Sequence, residues 1–236
     1  MRLDRRSLAA APDGIGSLHS LLQQTDPMRR EGTGEVRVSA RGLKTRAALL
    51  NSARALFSDA GYQATSVASI AAAAGTSLGT FYQYFSDRAD ILTALVAQEV
   101  ADLLADNSRV WHVEQGPAGL RPFLLSYVTA TVQNASFWRV WEEVTHTEGG
   151  LADVRRDLVR LLNASVAKQI RRGQQLGLVN PNLDSVLTAA ALTSMVDRYI
   201  YVTYVFAPPA QLPSHEHSAE VLAQIWSQSV FGSGLL

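Results

Sequence analysis

Cysteine is absent from this 236-residue chain, so neither a disulfide nor a thiolate metal site is available to it. No apolar run is long enough to cross a bilayer, and the N-terminus carries no signal-peptide pattern. Those absences point to a soluble, cytoplasmic protein without a membrane partner. Enzyme signatures are missing too: there is no Gly-x-Ser-x-Gly elbow and no glycine loop built to cradle phosphate. Five histidines include one suggestive pair, His215-Glu216-His217. A metal site on a helix wants ligands four apart and a third donor, and a solvated loop after Pro213 accounts for the pair without one. Neither catalysis nor a bound cofactor is expected.

What is present is helical pattern. The chain is 47% apolar, enough to bury a core as one small and one larger domain. No alternating run of strand length occurs, so the fold class expected is all-α. The net charge of zero hides an asymmetry. Through Arg46, nine basic residues stand against five acids, an excess of +4 that the rest of the chain offsets. A basic end is the electrostatic footprint of phosphate binding, although a solvated tail explains the part before Arg37 equally. Residues 1–40 show no sustained periodicity and are expected to form a mobile N-terminal extension, within which Met28 is a candidate translation start.

Residues 45–92 read TRAALLNSARALFSDAGYQATSVASIAAAAGTSLGTFYQYFSDRADIL. Leu49, Ala53, Leu56, Phe57 and Ala60 recur at spacings of three and four, one apolar stripe on a helix that starts near Lys44. Gly61 ends it as a left-handed residue. Ser66 stands where an N-cap belongs, before a short alanine-rich helix over 68–74 anchored by Ile70. Gly75 supplies the next turn, and Ser77 caps a third helix over 78–85 whose Phe81 and Phe85 face inward. That leaves Ser77, Leu78, Gly79, Thr80, Tyr82, Gln83 and Tyr84 outward. Three short helices ending in a polar and aromatic face are the outline of a helix-turn-helix DNA reader, with the last helix in a major groove.

The same residues resemble a known family. Thr45-Arg46, the Ala53/Leu56-Phe57 stripe, Gly61-Tyr62, Thr65-Ser66, Ile70-Ala71, Ala74-Gly75, Gly79-Thr80-Phe81-Tyr82 and Tyr84-Phe85 are similar to the DNA-binding domain of the tetracycline-repressor (TetR) family. Two positions depart from it. The family usually has an aliphatic residue where Thr76 stands, and a Lys-Glu pair where this chain has Arg88-Ala89. The resemblance implies an N-terminal three-helix helix-turn-helix domain over 41–87 and a C-terminal helical ligand-binding and dimerisation domain over 88–236. Ser77, Gly79, Thr80 and Tyr84 are the expected base contacts. Thr45, Arg46, Ser66, Tyr82 and Arg88 are expected to hold phosphates, and Leu78 and Gln83 to serve either purpose. The expected partners are a double-stranded DNA operator, a second copy of the chain and a hydrophobic small-molecule effector.

Beyond Phe85 a long amphipathic helix is predicted over 88–110, with Ile91, Leu92, Leu95, Val96, Val100, Leu103 and Leu104 inward. Further helices follow at 120–134, 137–147, 151–176, 183–206 and 216–231, separated by glycine- and proline-rich stops. Aromatic residues gather in this body. Plain core packing explains them on spacing alone. A ligand cavity, which the resemblance implies, would draw on Trp111, Phe123, Tyr127, Trp138, Trp141, Met195 and Tyr199. Glu142, Asp197 and Arg198 are either polar anchors for that ligand or ordinary surface ion pairs. The last two long helices, with Ala189–Leu192, Met195 and Val196 on one and Val221, Leu222, Ile225, Trp226 and Val230 on the other, are the expected dimer contact. The rival class is a helical small-molecule-binding or interaction protein without sequence-specific DNA binding, whose affinity for DNA would respond to salt and not to sequence.

Overall fold

The structure, a computed structural model, describes residues 40–105, 111–147, 149–206 and 212–232. The N-terminal extension and the end of the helix predicted to reach 110 lie outside those residues, as do the side chains of Val100, Leu103 and Leu104. Every regular element among the described residues is helical. The first four are α1 (Ala40–Ala60), α2 (Val67–Ala73), α3 (Leu78–Tyr84) and α4 (Arg88–Ala105). Two 3-10 turns, Val113–Gln115 and Pro117–Gly119, occupy the Gly-Pro break. Then come α5 (Leu120–Gln133), α6 (Ala135–Val144), α7 (Gly149–Gln175), α8 (Ser185–Ile200) and α9 (His215–Phe231). A π-helical stretch, Tyr201–Phe206, continues α8.

By compactness the described residues divide into two units, and their bounds differ from a division at 87/88. One unit joins residues 40–101 to Ser136–Arg156; the other joins the described parts of Asp102–Ala135 and Asp157–Leu236. Arg54 shows why α6 groups with α1 and α4. Its guanidinium pairs with Glu99 of α4 and lies 5.2 Å over the Phe137 ring of α6, a cation–π contact.

Within the first unit, α1 packs on α2 and α2 on α3. Leu49, Ala53, Phe57, Ile70, Phe81 and Phe85 are fully or almost fully buried, and the Phe81 and Phe85 rings lie 5.8 Å apart. Local chemistry sets each boundary. At the start of α2 the Ser66 hydroxyl accepts the Ser69 N–H at 3.0 Å, and the Ser69 hydroxyl accepts the Ser66 N–H at 3.0 Å. Two orphan donors are satisfied reciprocally, with serine in the place that usually holds Glu or Gln. At its end Gly75 adopts φ +65° and donates to the Ala72 carbonyl at 3.0 Å, while the Thr76 N–H reaches the Ala71 carbonyl at 2.9 Å. That double bond pattern closes the turn through the main chain, so threonine serves where an aliphatic residue is usual. The Thr76 hydroxyl donates to the Ser77 carbonyl at 3.1 Å.

In the second unit α5 packs against α9 and α8, around Trp111, Leu124, Ile170, Leu192, Ile200, Leu222 and Trp226. The Asp184 carboxylate caps α8, accepting from the N–H groups of Val186 and Leu187 at 2.9 and 3.1 Å. On α9, Ser218, Leu222, Trp226 and Val230 are buried while Val221 and Ile225 are exposed. Leu222, Trp226 and Val230, expected at a subunit contact, therefore belong to the chain's own core. A helix apolar on two faces hides that distinction in the sequence, because both faces carry residues of the same type.

Candidate nucleic-acid interface

The candidate reading surface is the outer face of α3. Ser77 caps the helix, its hydroxyl accepting the Thr80 N–H at 3.1 Å and lying 2.9 Å from the Thr80 hydroxyl. These two expected base contacts are thus held as one hydrogen-bonded pair. Leu78 and Tyr82 are 46% and 56% exposed, and Gly79 and Gln83 are exposed beside them. A methyl group added at Gly79 would meet only the Ser77 hydroxyl, at 3.8 Å. Two large apolar side chains in water around a bare stretch of backbone are a poor surface for a structural helix and a good one for a groove.

Tyr84 is a correction. Expected on the outward face, it is 9% exposed. It stands three residues after Phe81, so on a seven-residue helix Phe81, Tyr84 and Phe85 form a single inward stripe. Ser66 is exposed at the start of α2 and Thr45 is half-buried on α1, where its hydroxyl donates back to the Arg41 carbonyl at 3.1 Å. Arg46 lies with its guanidinium 5.4 Å over the Phe85 ring, and its Nε is buried with no hydrogen-bond partner among the described residues.

Arg88, expected on a phosphate, is engaged elsewhere. Its Nη1 donates to the carbonyls of Tyr62 and Thr65, both at 2.9 Å, and to that of Gln63 at 3.5 Å. The guanidinium sits 4.6 Å over the Tyr62 ring, which in turn lies 5.3 Å from Phe57. One cation from the first turn of α4 thereby gathers three carbonyls of the α1–α2 turn, which lies outside both helices. Local spacing does not signal this role, since the partners are 23 and 26 residues away and are main-chain atoms.

The expected ligand residues separate between the two units. Trp138 and Trp141 sit on α6, in the unit of the reading head, Trp138 half-buried 5.5 Å from Phe137 and Trp141 buried. Trp111 is buried in the core of the second unit, with Phe123, Tyr127, Met195 and Tyr199 packed against that core. Burial first, and the Asp197 charge second, push the Tyr127 phenol well above its ordinary range. Asp197 and Arg198 are exposed. Glu142 pairs with Arg155, whose guanidinium also reaches the Thr145 hydroxyl at 3.1 Å.

A chain of hydroxyls runs through the second core. Tyr204 donates to the Pro213 carbonyl at 3.1 Å, and its oxygen lies 2.6 Å from that of Ser218, which lies 2.7 Å from that of Tyr199. A carbonyl only accepts, so the single Tyr204 proton is spent there, Ser218 donates to Tyr204 and Tyr199 donates to Ser218. Burial raises the Tyr204 phenol above its usual range. His215, Glu216 and His217, expected in a loop, form the first turn of α9. His215 Nδ1 lies 3.3 Å from the Thr129 hydroxyl, and the Glu216 carboxyl is lowered by its own backbone N–H and by Ser214. Among the described residues no cluster of three metal-ligating side chains occurs, and no helix is long and apolar enough to cross a membrane.

Three helices, the second and third capped by Ser66 and Ser77, with an exposed outer face on the third, have the form of a helix-turn-helix. Residues 49–95 match the bacterial regulatory proteins of the tetR family. The regulator TtgR of Pseudomonas putida is 29% identical over 170 residues, covering 66% of this chain and 79% of its own. Among solved structures, a TetR-family regulator of Mesorhizobium loti superposes with a TM-score of 0.68 at 19% identity, over 82% of this chain and 100% of that one. SmeT, the repressor of the Stenotrophomonas maltophilia multidrug efflux pump SmeDEF, does so with a TM-score of 0.65 at 17% identity, over 82% and 95%. At those identities the two structures speak for the fold.

Proposed function

We propose that this cytoplasmic protein is a homodimeric repressor that binds a pseudo-palindromic operator through α3 and leaves it when a hydrophobic small molecule occupies the helical body. The observation that carries it is the face of α3, where exposed Leu78 and Tyr82 flank the open backbone at Gly79. Thr80, with Ser77 fixed beside it, supplies a hydrogen bond or a methyl contact to a base edge. Tyr82, Thr45, Arg46 and Ser66 hold phosphates, and Leu78 and Gln83 serve base or backbone. The Tyr84 ring supports this surface from within.

A single seven-residue helix reaches too few bases for tight binding, and a second copy on a two-fold axis places two such helices about 34 Å apart. Leu187 of α8 is 66% exposed, and Val221 and Ile225 of α9 are exposed as well. Those side chains are the ones a partner copy would cover. Release follows if the ligand binds more tightly to a body conformation that holds the heads at the wrong spacing. Selection of bound duplexes from a random pool, with the purified chain near physiological salt, tests the proposal. The expected result is a two-fold symmetric motif. Recovery of no motif, with binding governed by salt alone, would sink it in favour of a helical binding protein.

A further inference from the structure

Two polar atoms in the core of the second unit are buried with no hydrogen-bond partner among the described residues, Nε1 of Trp111 and Nε1 of Trp226. The residues are only 2% and 1% exposed, and their rings meet edge to face at 5.7 Å. A buried donor left unpaired is costly, and two on adjoining rings ask for a common cause. The neighbours explain the lack. Trp226 meets Phe123 at 5.9 Å and Trp111 meets Phe231 at 6.2 Å, both edge to face, so the rings around the pair offer π-faces and no oxygen. Ser218 lies two helical turns before Trp226 on the same buried stripe of α9, yet its hydroxyl is already spent between Tyr199 and Tyr204.

We infer that the effector is an uncharged apolar molecule bearing a carbonyl-type oxygen, which accepts from the indole N–H groups of Trp111 and Trp226; this rests on the body being the ligand-binding unit. An indole nitrogen only donates, so what it lacks is an acceptor. A carbonyl oxygen has two lone pairs and no proton, which matches two donors with nothing left over. A buried water fits less well, because its own two protons would find no acceptor there. A carboxylate fits worse. Among the described residues no Lys or Arg is buried, Arg198 is exposed over Tyr201, and Arg121 is paired with Glu220 at the surface. A buried anion without a counter-ion is strongly disfavoured.

The test uses three matched probes, 2-acetylnaphthalene, 2-isopropenylnaphthalene and 2-naphthoate, titrated into the full chain by calorimetry. The four tryptophan indoles are followed as 15N–H resonances in the same samples. The ketone is expected to bind about tenfold or more tighter than the isosteric hydrocarbon, to shift two of the four indole resonances downfield, and to outbind the carboxylate. In Trp226→Phe the ketone is expected to fall to the affinity of the hydrocarbon; the resonances of the unmodified chain decide the matter if that variant does not fold. Equal binding of ketone and hydrocarbon, unmoved indole resonances, or preference for the carboxylate would overturn the inference while leaving an apolar ligand site in place. Binding of none of the three would overturn the ligand-binding reading of the body as well.

Discussion

At position 79 nothing in the fold asks for glycine, since an added methyl would have open space around it. Glycine in a helix nevertheless costs up to about 1 kcal/mol relative to alanine. Gly79→Ala is therefore expected to raise thermal stability slightly and to weaken operator binding by about tenfold or more, because the new methyl stands where backbone would approach a base edge. Unchanged binding would remove Gly79 from the interface. Arg88 gives the opposite kind of test. With its guanidinium committed to the turn carbonyls, Arg88→Gln is expected to destabilise the head by about 1–2 kcal/mol. The slope of log affinity against log salt is expected to hold, whereas loss of a phosphate contact would lower it by about one. Thermal melts and a salt titration on one operator separate the two.

The helices are built from signals of very different range, and their legibility follows that range. Ser66, Gly75 and Ser77 act on neighbours within a few residues, so the caps and turn of α2 and α3 were readable from the chain alone. Tyr84 reads as outward in the chain and is buried in the fold, because a seven-residue helix gives its inner stripe no second turn to repeat in. The Arg88 strut and the Trp111–Trp226 pair join residues far apart in the chain, and nothing in local spacing encodes them. Gly173 of α7 is another long-range case. A methyl there would clash with Val179 Cγ2 and stand 2.6 Å from Val113 Cγ2, and valine, stiff about χ1, yields little. Despite the better helix propensity of alanine, Gly173→Ala is expected to lower stability by about 1–3 kcal/mol, seen as an earlier denaturant midpoint. A stability equal to or above that of the unmodified chain would mean the Val113–Val179 contact repacks freely.

At the scale of the whole molecule, the proposed function depends on pairing two copies of a modest reading surface. The head is stitched from α1 to α4 and α6 by Arg54, while the exposed apolar residues of α8 and α9 lie in the other unit. The proposed dimer contact and the proposed DNA contact thus fall on separate parts of one chain, an arrangement in which spacing between heads is a property of the dimer. That makes half-site spacing the sharpest probe of the proposed function. Once selection has supplied an operator, the measurement is its affinity before and after five base pairs, about half a helical turn, are inserted between the half-sites. A dimer reading both halves on a two-fold axis is expected to lose about a hundredfold or more in affinity. Affinity that ignores the insertion would contradict the two-headed reader and leave each copy binding alone.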